Sequence, residues 1–149
     1  MREIRSMSIA RILAQKGAEV FTTTPEQILK EAAAELAQRG IGALVVIDSW
    51  GKVAGVISET DILGAIAARG ADALNERVES HMGRNFRFLS EHDSVDDAME
   101  TMTIERRRHL PVLREGRLVG LISIGDAVKF RIDTIDAERR ALHQYIATA

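Results

Sequence analysis

Two short polar motifs carry the side chains best suited to ligand binding. Ser58-Glu59-Thr60-Asp61 and Ser123-Ile124-Gly125-Asp126 each place an aspartate three residues after a serine that ends an apolar, strand-like segment. A helix that begins at such a serine offers free backbone N–H groups and the positive end of its dipole, which favour oxygen-rich, anionic ligands. The aspartate can also accept hydrogen bonds from both hydroxyls of a ribose. The motifs therefore indicate two candidate binding sites.

The same tetrapeptides have a purely structural interpretation. Ser-x-x-Asp is a helix-capping box, which stabilises a helix by about 1 kcal/mol and requires no ligand. A single tetrapeptide favours capping, whereas its occurrence twice in matching surroundings favours binding. The two roles are compatible in one structure.

Both motifs lie within a longer internal repeat. Residues 55–62 return as residues 120–127, residues 25–32 align with 91–98, and residues 43–47 align with 109–113. Such a repeat indicates a fold built from two copies of one unit that bury their cores against each other. We therefore expect the functional site at the junction between the copies.

Each copy shows the same predicted order of strand, helix, strand, strand and helix. In the first copy these are residues 20–22, a helix begun by the Thr24-Pro25-Glu26-Gln27 capping box, a hairpin of 43–48 and 53–58, and a helix over 60–69. In the second they are 86–88, a helix introduced by 90–93, a hairpin of 110–114 and 118–123, and a helix from Asp126 onward. Further helices are expected over 8–13 and 129–149, and the last has apolar residues spread widely enough to meet a partner subunit.

Composition narrows the possible functions. The chain has 149 residues and no cysteine, which excludes disulfides, thiolate metal sites and thiol nucleophiles, and its four histidines are scattered. We therefore expect no metal. The net charge of −2 gives no reason to expect nucleic acid as a partner. No apolar run is long enough to span a bilayer and the N-terminus lacks the apolar stretch of a secretory signal, so the expected location is the cytoplasm.

The duplicated Gly-x-Ile-Ser-x-x-Asp sequence, with matching helices and hairpins before it, resembles the CBS domain pair, or Bateman module. The segment Arg108-His109-Leu110-Pro111-Val112 and the helical tail resemble small stand-alone bacterial members of that family. The resemblance covers about residues 8–131 and implies a mixed α/β (α+β) fold. Tandem β-α-β-β-α repeats would be related by a pseudo-two-fold axis, followed by an additional C-terminal helix. We expect residues 1–70 to form the first part, with the N-terminal helix, and 71–149 the second.

The resemblance also implies that adenosyl ligands bind in two clefts between the repeats, each completed by residues of the other repeat. The site with the Ser123 motif would include Lys16, Gly17, Ala18, Ile41, Gly42, Ala43, Ser123 and Asp126. The site with the Ser58 motif would include Ser58, Asp61, Met82, Gly83, Arg84, Arg107, Arg108 and His109.

The two sites are not expected to be equivalent. The cluster Arg106-Arg107-Arg108 can bind phosphate through its guanidinium groups, or can lie on a solvated helix end. The corresponding positions of the first repeat, from Gly40 to Gly42, carry no charge, so the fold itself does not demand the cluster. Thr60 stands where similar proteins often have an arginine, which makes the Ser123/Asp126 site the better candidate.

The resemblance implies a non-catalytic regulatory module that binds AMP, ATP or NAD(H), forms a flat homodimer and acts on an unknown effector protein in trans. One alternative is a structural dimerisation module with degenerate sites. A second is a nucleotide-processing enzyme, against which stand the lack of a glycine-rich phosphate loop and of a nucleophile beside a histidine base.

Overall fold

A computed structural model of the chain describes residues 8–17, 19–85 and 87–148. These residues form two α/β units that each contain a three-stranded sheet, as the repeat predicts. The helices are α1 (Ile9–Lys16), α2 (Leu29–Arg39), α3 (Glu59–Arg69), α4 (Val95–Glu105) and α5 (Ile124–Thr148). The strands are β1 (Thr22–Thr23), β2 (Ala43–Ile47), β3 (Val53–Ser58), β4 (Leu89–Ser90), β5 (His109–Arg114) and β6 (Arg117–Ser123). Short 3₁₀ helices span Gly70–Asn75 and Val78–Ser80.

The two sheets share one topology. The middle strand pairs in parallel with the leading strand and antiparallel with the third strand of its unit. In the first sheet Ala43 lies opposite Ser58, and in the second His109 lies opposite Ser123. The start of each middle strand is thereby held beside the serine that ends the hairpin. The expected tandem fold, with its additional C-terminal helix, is confirmed.

The boundaries of the first elements in each unit were predicted wrongly. The predicted capping box at Thr24 is a turn in which the Gln27 N–H donates to the Thr24 carbonyl at 3.3 Å, and α2 is capped by Ile28 instead. Ile28 is held extended by its bridge to Arg77, so the helix begins only after that pairing ends.

The leading strands also begin later than expected. They occupy Thr22–Thr23 and Leu89–Ser90 rather than 20–22 and 86–88, because only the later residues come into register with β2 and β5. Phe86, in the second predicted strand, lies outside the described residues.

Each unit is packed against the chain that precedes the other. Ile9, Ile12 and Leu13 of α1 are buried in the core of the second unit rather than in that of the first. In the same way Gly83, just before the second unit, pairs with Val56 of β3 through two backbone hydrogen bonds of 2.9 and 3.1 Å. This exchange brings residues of both units to the junction. A boundary between residues 70 and 71 remains a prediction.

The glycines of the repeated motif permit these close approaches. A Cβ atom on Gly55 would lie 2.3 Å from the Gly83 carbonyl oxygen, and one on Gly120 would lie 2.5 Å from Cδ2 of Leu13. Both distances are far below van der Waals contact, so a side chain at either position would push the packed segment away.

Candidate functional site

Both Ser-x-x-Asp motifs form helix caps. The Asp61 N–H donates to Ser58 Oγ at 3.2 Å, and the Ser58 N–H donates to Asp61 Oδ2 at 2.9 Å. The Asp126 N–H likewise donates to Ser123 Oγ at 3.0 Å, and the Ser123 N–H donates to Asp126 Oδ2 at 2.9 Å. The structural interpretation is therefore correct, and the caps also fix each carboxylate at the mouth of a cleft.

The cleft beside Asp61, here the first cleft, has a volume of about 440 Å³. One wall is the start of α3, and the other is the segment between α4 and β5 from the second unit. Its lining residues are Gly42, Val56, Ser58, Glu59, Thr60, Asp61, Glu105, Arg106, Arg107, Arg108 and His109.

The cleft beside Asp126, here the second cleft, has a volume of about 430 Å³. One wall is the start of α5, and the other combines the end of α1 with the chain before β1 and β2. Its lining residues are Lys16, Gly17, Glu19, Val20, Phe21, Gly40, Ile41, Gly42, Ala43, His109, Leu121, Ser123 and Asp126. The predicted set around Ser123 thus comes together, apart from Ala18, which lies outside the described residues.

A cation meets the aspartate in each cleft. In the second cleft Lys16 Nζ donates to Asp126 Oδ2 at 2.6 Å and to the Leu121 carbonyl at 3.0 Å. In the first cleft Arg107 Nη1 lies 3.6 Å from Asp61 Oδ1. The Lys16–Asp126 pair is within hydrogen-bonding distance, whereas the Arg107–Asp61 pair is a looser electrostatic contact.

These contacts set the charge of Asp126. Burial alone would raise the pKa of Asp126, but the hydrogen bonds from Lys16 and from Ser123 outweigh it and hold the pKa below its usual value. Asp126 is therefore a carboxylate at neutral pH. The hydrogen bonds from the Lys16 amine and from the Ser123 N–H both go to Oδ2, and an ionised carboxylate has further lone pairs to offer a ligand.

His109 forms a wall common to the two clefts. A Cβ atom on Gly42 would lie 3.1 Å from both Cε1 and Nε2 of the ring, so Gly42 is what lets the ring approach. Burial lowers the pKa of His109 more than the nearby carboxylates of Asp126 and Glu59 raise it. The ring is therefore neutral at pH 7 and does not add a positive charge to either cleft.

Three residues predicted for the first cleft are used differently. Gly83 is not among the lining residues and lies against the Arg107 guanidinium, since a Cβ on Gly83 would lie 2.1 Å from Nη2. The Met82 sulfur lies against Gly55, and Arg84 donates to the carbonyl of Glu79. Arg107 itself lines the first cleft.

Sequence reasoning missed several lining residues. Glu59 contributes a carboxylate to the first cleft, and Phe21 an aromatic ring to the second. The Arg39 guanidinium lies 3.9 Å from the centre of the Phe21 ring, which holds the ring in place. Glu59 follows Ser58 directly, so its position at the first turn of α3 was an available signal. Phe21 falls within the strand predicted over residues 20–22, but no motif marked its ring as a lining residue.

Within residues 8–17, 19–85 and 87–148 no group of three or more histidine, cysteine, aspartate or glutamate side chains has the geometry of a metal site. None of the helices in this same part of the chain combines the length and apolar character needed to cross a bilayer.

Comparisons with known proteins identify the family. The family model for the CBS domain matches twice, at residues 13–68 and 78–133. The crystal structure of the CBS-domain containing protein ATU1752 from Agrobacterium tumefaciens is 40% identical, with a TM-score of 0.81 over 85% of this chain and 94% of that one. An uncharacterized 17.7 kDa protein of Acidianus ambivalens is 35% identical over 116 residues, which are 77% of this chain and 69% of the relative.

A further structure contains ligands. The CBS domain pair of protein MJ0100, in complex with 5′-methylthioadenosine and S-adenosyl-L-methionine, is 25% identical. It superposes with a TM-score of 0.75 over 85% of this chain and 97% of that chain. The two matched repeats and the shared fold, with two clefts at the junction, lead to one conclusion. The chain belongs to the CBS domain family as a CBS domain pair.

Proposed function

We propose that this protein is a non-catalytic regulatory module that binds an adenine nucleotide, AMP, ATP or NAD(H), in the second cleft. The observation that carries the proposal is the arrangement around Asp126. A carboxylate held by a helix cap keeps lone pairs available at the mouth of a cleft of about 430 Å³, and a lysine amine lies 2.6 Å from its Oδ2. The presence of adenosyl ligands in the related pair of MJ0100 supports this choice of ligand.

The cleft offers a contact for each part of a nucleotide. The Asp126 carboxylate accepts hydrogen bonds from the ribose hydroxyls, and Lys16 neutralises a phosphate. Ile41 and Val20 supply apolar surface for the faces of the base, and Gly42 allows a close approach to the backbone. The volume falls within the range of about 300–1,000 Å³ that is typical of small-molecule sites.

The roles of the two serines support a binding module rather than an enzyme. Each hydroxyl is engaged in a cap, Ser123 with the Asp126 N–H and Ser58 with the Asp61 N–H. A nucleophile requires a base within hydrogen-bond reach to take its proton. For Ser58 that base is the Asp61 carboxylate, which accepts from the hydroxyl at 2.9 Å but is itself held in the cap and lies 3.6 Å from Arg107 Nη1. The one histidine that lines both clefts, His109, packs against Gly42.

The first cleft is proposed to bind more weakly or to take a different ligand. Arg107 lines this cleft between Gly83 and Asp61, so a ligand that binds Asp61 competes with the Arg107 contact. The same arginine, with Arg106 and Arg108, then becomes available for phosphate. Unequal affinities at the two clefts follow from these different starting contacts.

We further propose a homodimer that transmits the bound state to an effector protein in trans. An apolar groove lies between α2 and α3, lined by Ala33, Leu36 and Ile66 among others. Leu63 at this groove is 68% exposed. Pairing of this surface with a second copy would cover it, and a ligand would act by binding one dimer arrangement more tightly than another.

A structural module with degenerate sites is the second candidate. It is favoured by the two cation contacts, Lys16 to Asp126 and Arg107 to Asp61, because they satisfy both aspartates without a ligand.

One calorimetric panel separates these candidates. AMP, ADP, ATP, NAD, NADH and S-adenosylmethionine are titrated into the protein, and the mixtures are analysed for products. Saturable binding without turnover is expected. Turnover would establish an enzyme, and no binding by any of the six would leave the structural module.

A further inference from the structure

The C-terminal helix α5 carries a regular apolar seam. Its members recur at alternating spacings of four and three residues, which is the a/d pattern of a coiled coil. The seam positions are Val128, Ile132, Ile135, Arg139, Leu142 and Ile146. A single charged residue, Arg139, interrupts five apolar ones.

This seam faces away from the protein's own core. Ala127 and Phe130 are the buried residues of α5, and they pack into the second unit. Because successive residues of a helix are rotated by about 100°, the seam lies on a different face from this pair. Ile132 is 53% exposed, Leu142 60% and Ile146 63%.

The end of the helix has no packing partner within the described chain. Every residue from 136 to 148 is exposed, although the segment continues as regular helix. An exposed helical segment of about 13 residues is marginally stable in water unless an apolar face is covered. We therefore expect a second helix to cover the seam.

The charged residues beside the seam indicate which helix covers it and in which direction that helix runs. In a parallel pair, each g position faces the e position five residues later in the second helix. This places Arg131, whose Nη1 also lies 3.7 Å from Asp96 of its own chain, opposite Asp136 of the second copy. It places Glu138 opposite His143 of the second copy. An antiparallel pair centred between them would instead oppose Asp136 to Asp136 and Glu138 to Glu138. The like charges disfavour that arrangement.

We propose that α5 pairs in parallel with α5 of a second copy of this chain, and that this short coiled coil is part of the homodimer interface. Arg139 then faces its counterpart across the seam. Polar residues at one such position lower the stability of a coiled coil but fix its register and its number of strands. The inference rests on the proposed homodimer and is independent of nucleotide binding.

The absence of native cysteine permits a direct test by cross-linking. Leu142→Cys and, separately, Ile135→Cys place one thiol in the seam, where parallel pairing brings it to its own counterpart within disulfide reach. Ala141→Cys and Ala137→Cys are the matched controls, since both lie on the same exposed stretch of α5 but off the seam. All four full-length proteins are oxidised at the same concentration and run on a non-reducing gel.

Covalent dimers from both seam variants, with little from the controls, are the expected result. Equal cross-linking of seam and control variants, or none at all, would overturn the proposal. Cross-linking only in the double variant Ile132→Cys/Leu142→Cys would also overturn it, because these two positions meet in an antiparallel pair.

A second measurement does not depend on disulfide geometry. The double variant Ile135→Glu/Leu142→Glu is expected to raise the dimer dissociation constant at least about tenfold in sedimentation equilibrium, relative to Ala137→Glu/Ala141→Glu. Both variants add the same charge to the same helix. AMP affinity should be the same in the two proteins, so a failure of the coiled coil is distinguishable from a failure of nucleotide binding. Equal dissociation constants would contradict the inference.

Discussion

Replacement of Asp126 by alanine separates the two roles assigned to this residue. The carboxylate caps α5 through Ser123, and it is proposed to hold the ribose hydroxyls with its remaining lone pairs. A hydrogen bond to a charged group contributes about 1.5–3 kcal/mol, which corresponds to a loss in affinity of roughly 10- to 100-fold. Loss of the cap costs a further ~0.5–2 kcal/mol of folding stability.

The assay measures both quantities on the same proteins. Calorimetric titration with the tightest nucleotide gives the affinity, and thermal unfolding without nucleotide gives the stability. A chain of this size is expected to lose about 2–4 °C in melting temperature for each kcal/mol. Asp126→Asn is the companion variant, because its amide oxygen can still accept the Ser123 N–H at the N3 position of the capping box and should restore much of the stability but not the affinity.

Ser94→Ala is the matched control for the cap. The Ser94 hydroxyl accepts the Asp97 N–H at 3.0 Å at the start of α4, a contact of the same kind that lies outside both clefts. It should lower the melting temperature and leave nucleotide affinity unchanged. Asp61→Ala should also destabilise, but reduce affinity much less than Asp126→Ala. If Asp126→Ala behaves as Ser94→Ala does, the carboxylate is only a cap and the reasoning fails.

Three further predictions concern pH, packing and assembly. Burial lowers the pKa of His109 below its ordinary 6.5, so the unfolded chain takes up a proton before the folded one. The free energy of unfolding of the wild type, measured in denaturant titrations, should therefore fall as the pH drops below about 6.5. His109→Gln should show a shallower fall, and equal falls in the two proteins would contradict this role of His109. Gly120→Ala should lower the free energy of unfolding by about 1–3 kcal/mol, because the added carbon collides with Leu13. Gly125→Ala, the control, should leave stability unchanged or raise it, and equal effects of the two substitutions would refute the packing argument. Leu63→Asp should weaken the dimer in sedimentation experiments, and an unaltered dissociation constant would remove α3 from the interface.

The architecture could be predicted from the repeat because it is specified redundantly. Two copies of the same glycines, apolar runs and serine caps had to adopt the same pairing, so an error in one copy was constrained by the other. The register of Ala43 with Ser58 and of His109 with Ser123 then follows from two equivalent hairpins, of which the first has one more residue in its turn. The helix caps at Ser58 and Ser123 are predicted from local sequence, and the structure confirms both.

What the sequence could not indicate depends on tertiary contacts. The Thr24 box was displaced because the bridge between Ile28 and Arg77 holds the chain extended. The packing of α1 on the second unit also depends on Leu13 meeting Gly120, residues that are far apart in the sequence. These contacts join segments that no local pattern relates.

The contents of the clefts show the same limit. Lys16 and Arg107 were predicted as lining residues, but their contacts with Asp126 and Asp61 arise only when the units meet. The position of His109 between the clefts likewise requires the packing of its ring against Gly42. Residue types predicted the composition of the sites, and the junction determined which charges pair.

Structure determination with saturating AMP would show directly whether the nucleotide binds at the junction of the two units. We expect adenosine in the second cleft, with its ribose hydroxyls on the Asp126 carboxylate and its phosphate near Lys16, at a position that both units contact. A nucleotide bound outside the two clefts, or one that contacts neither Ser123 nor Asp126, would contradict it.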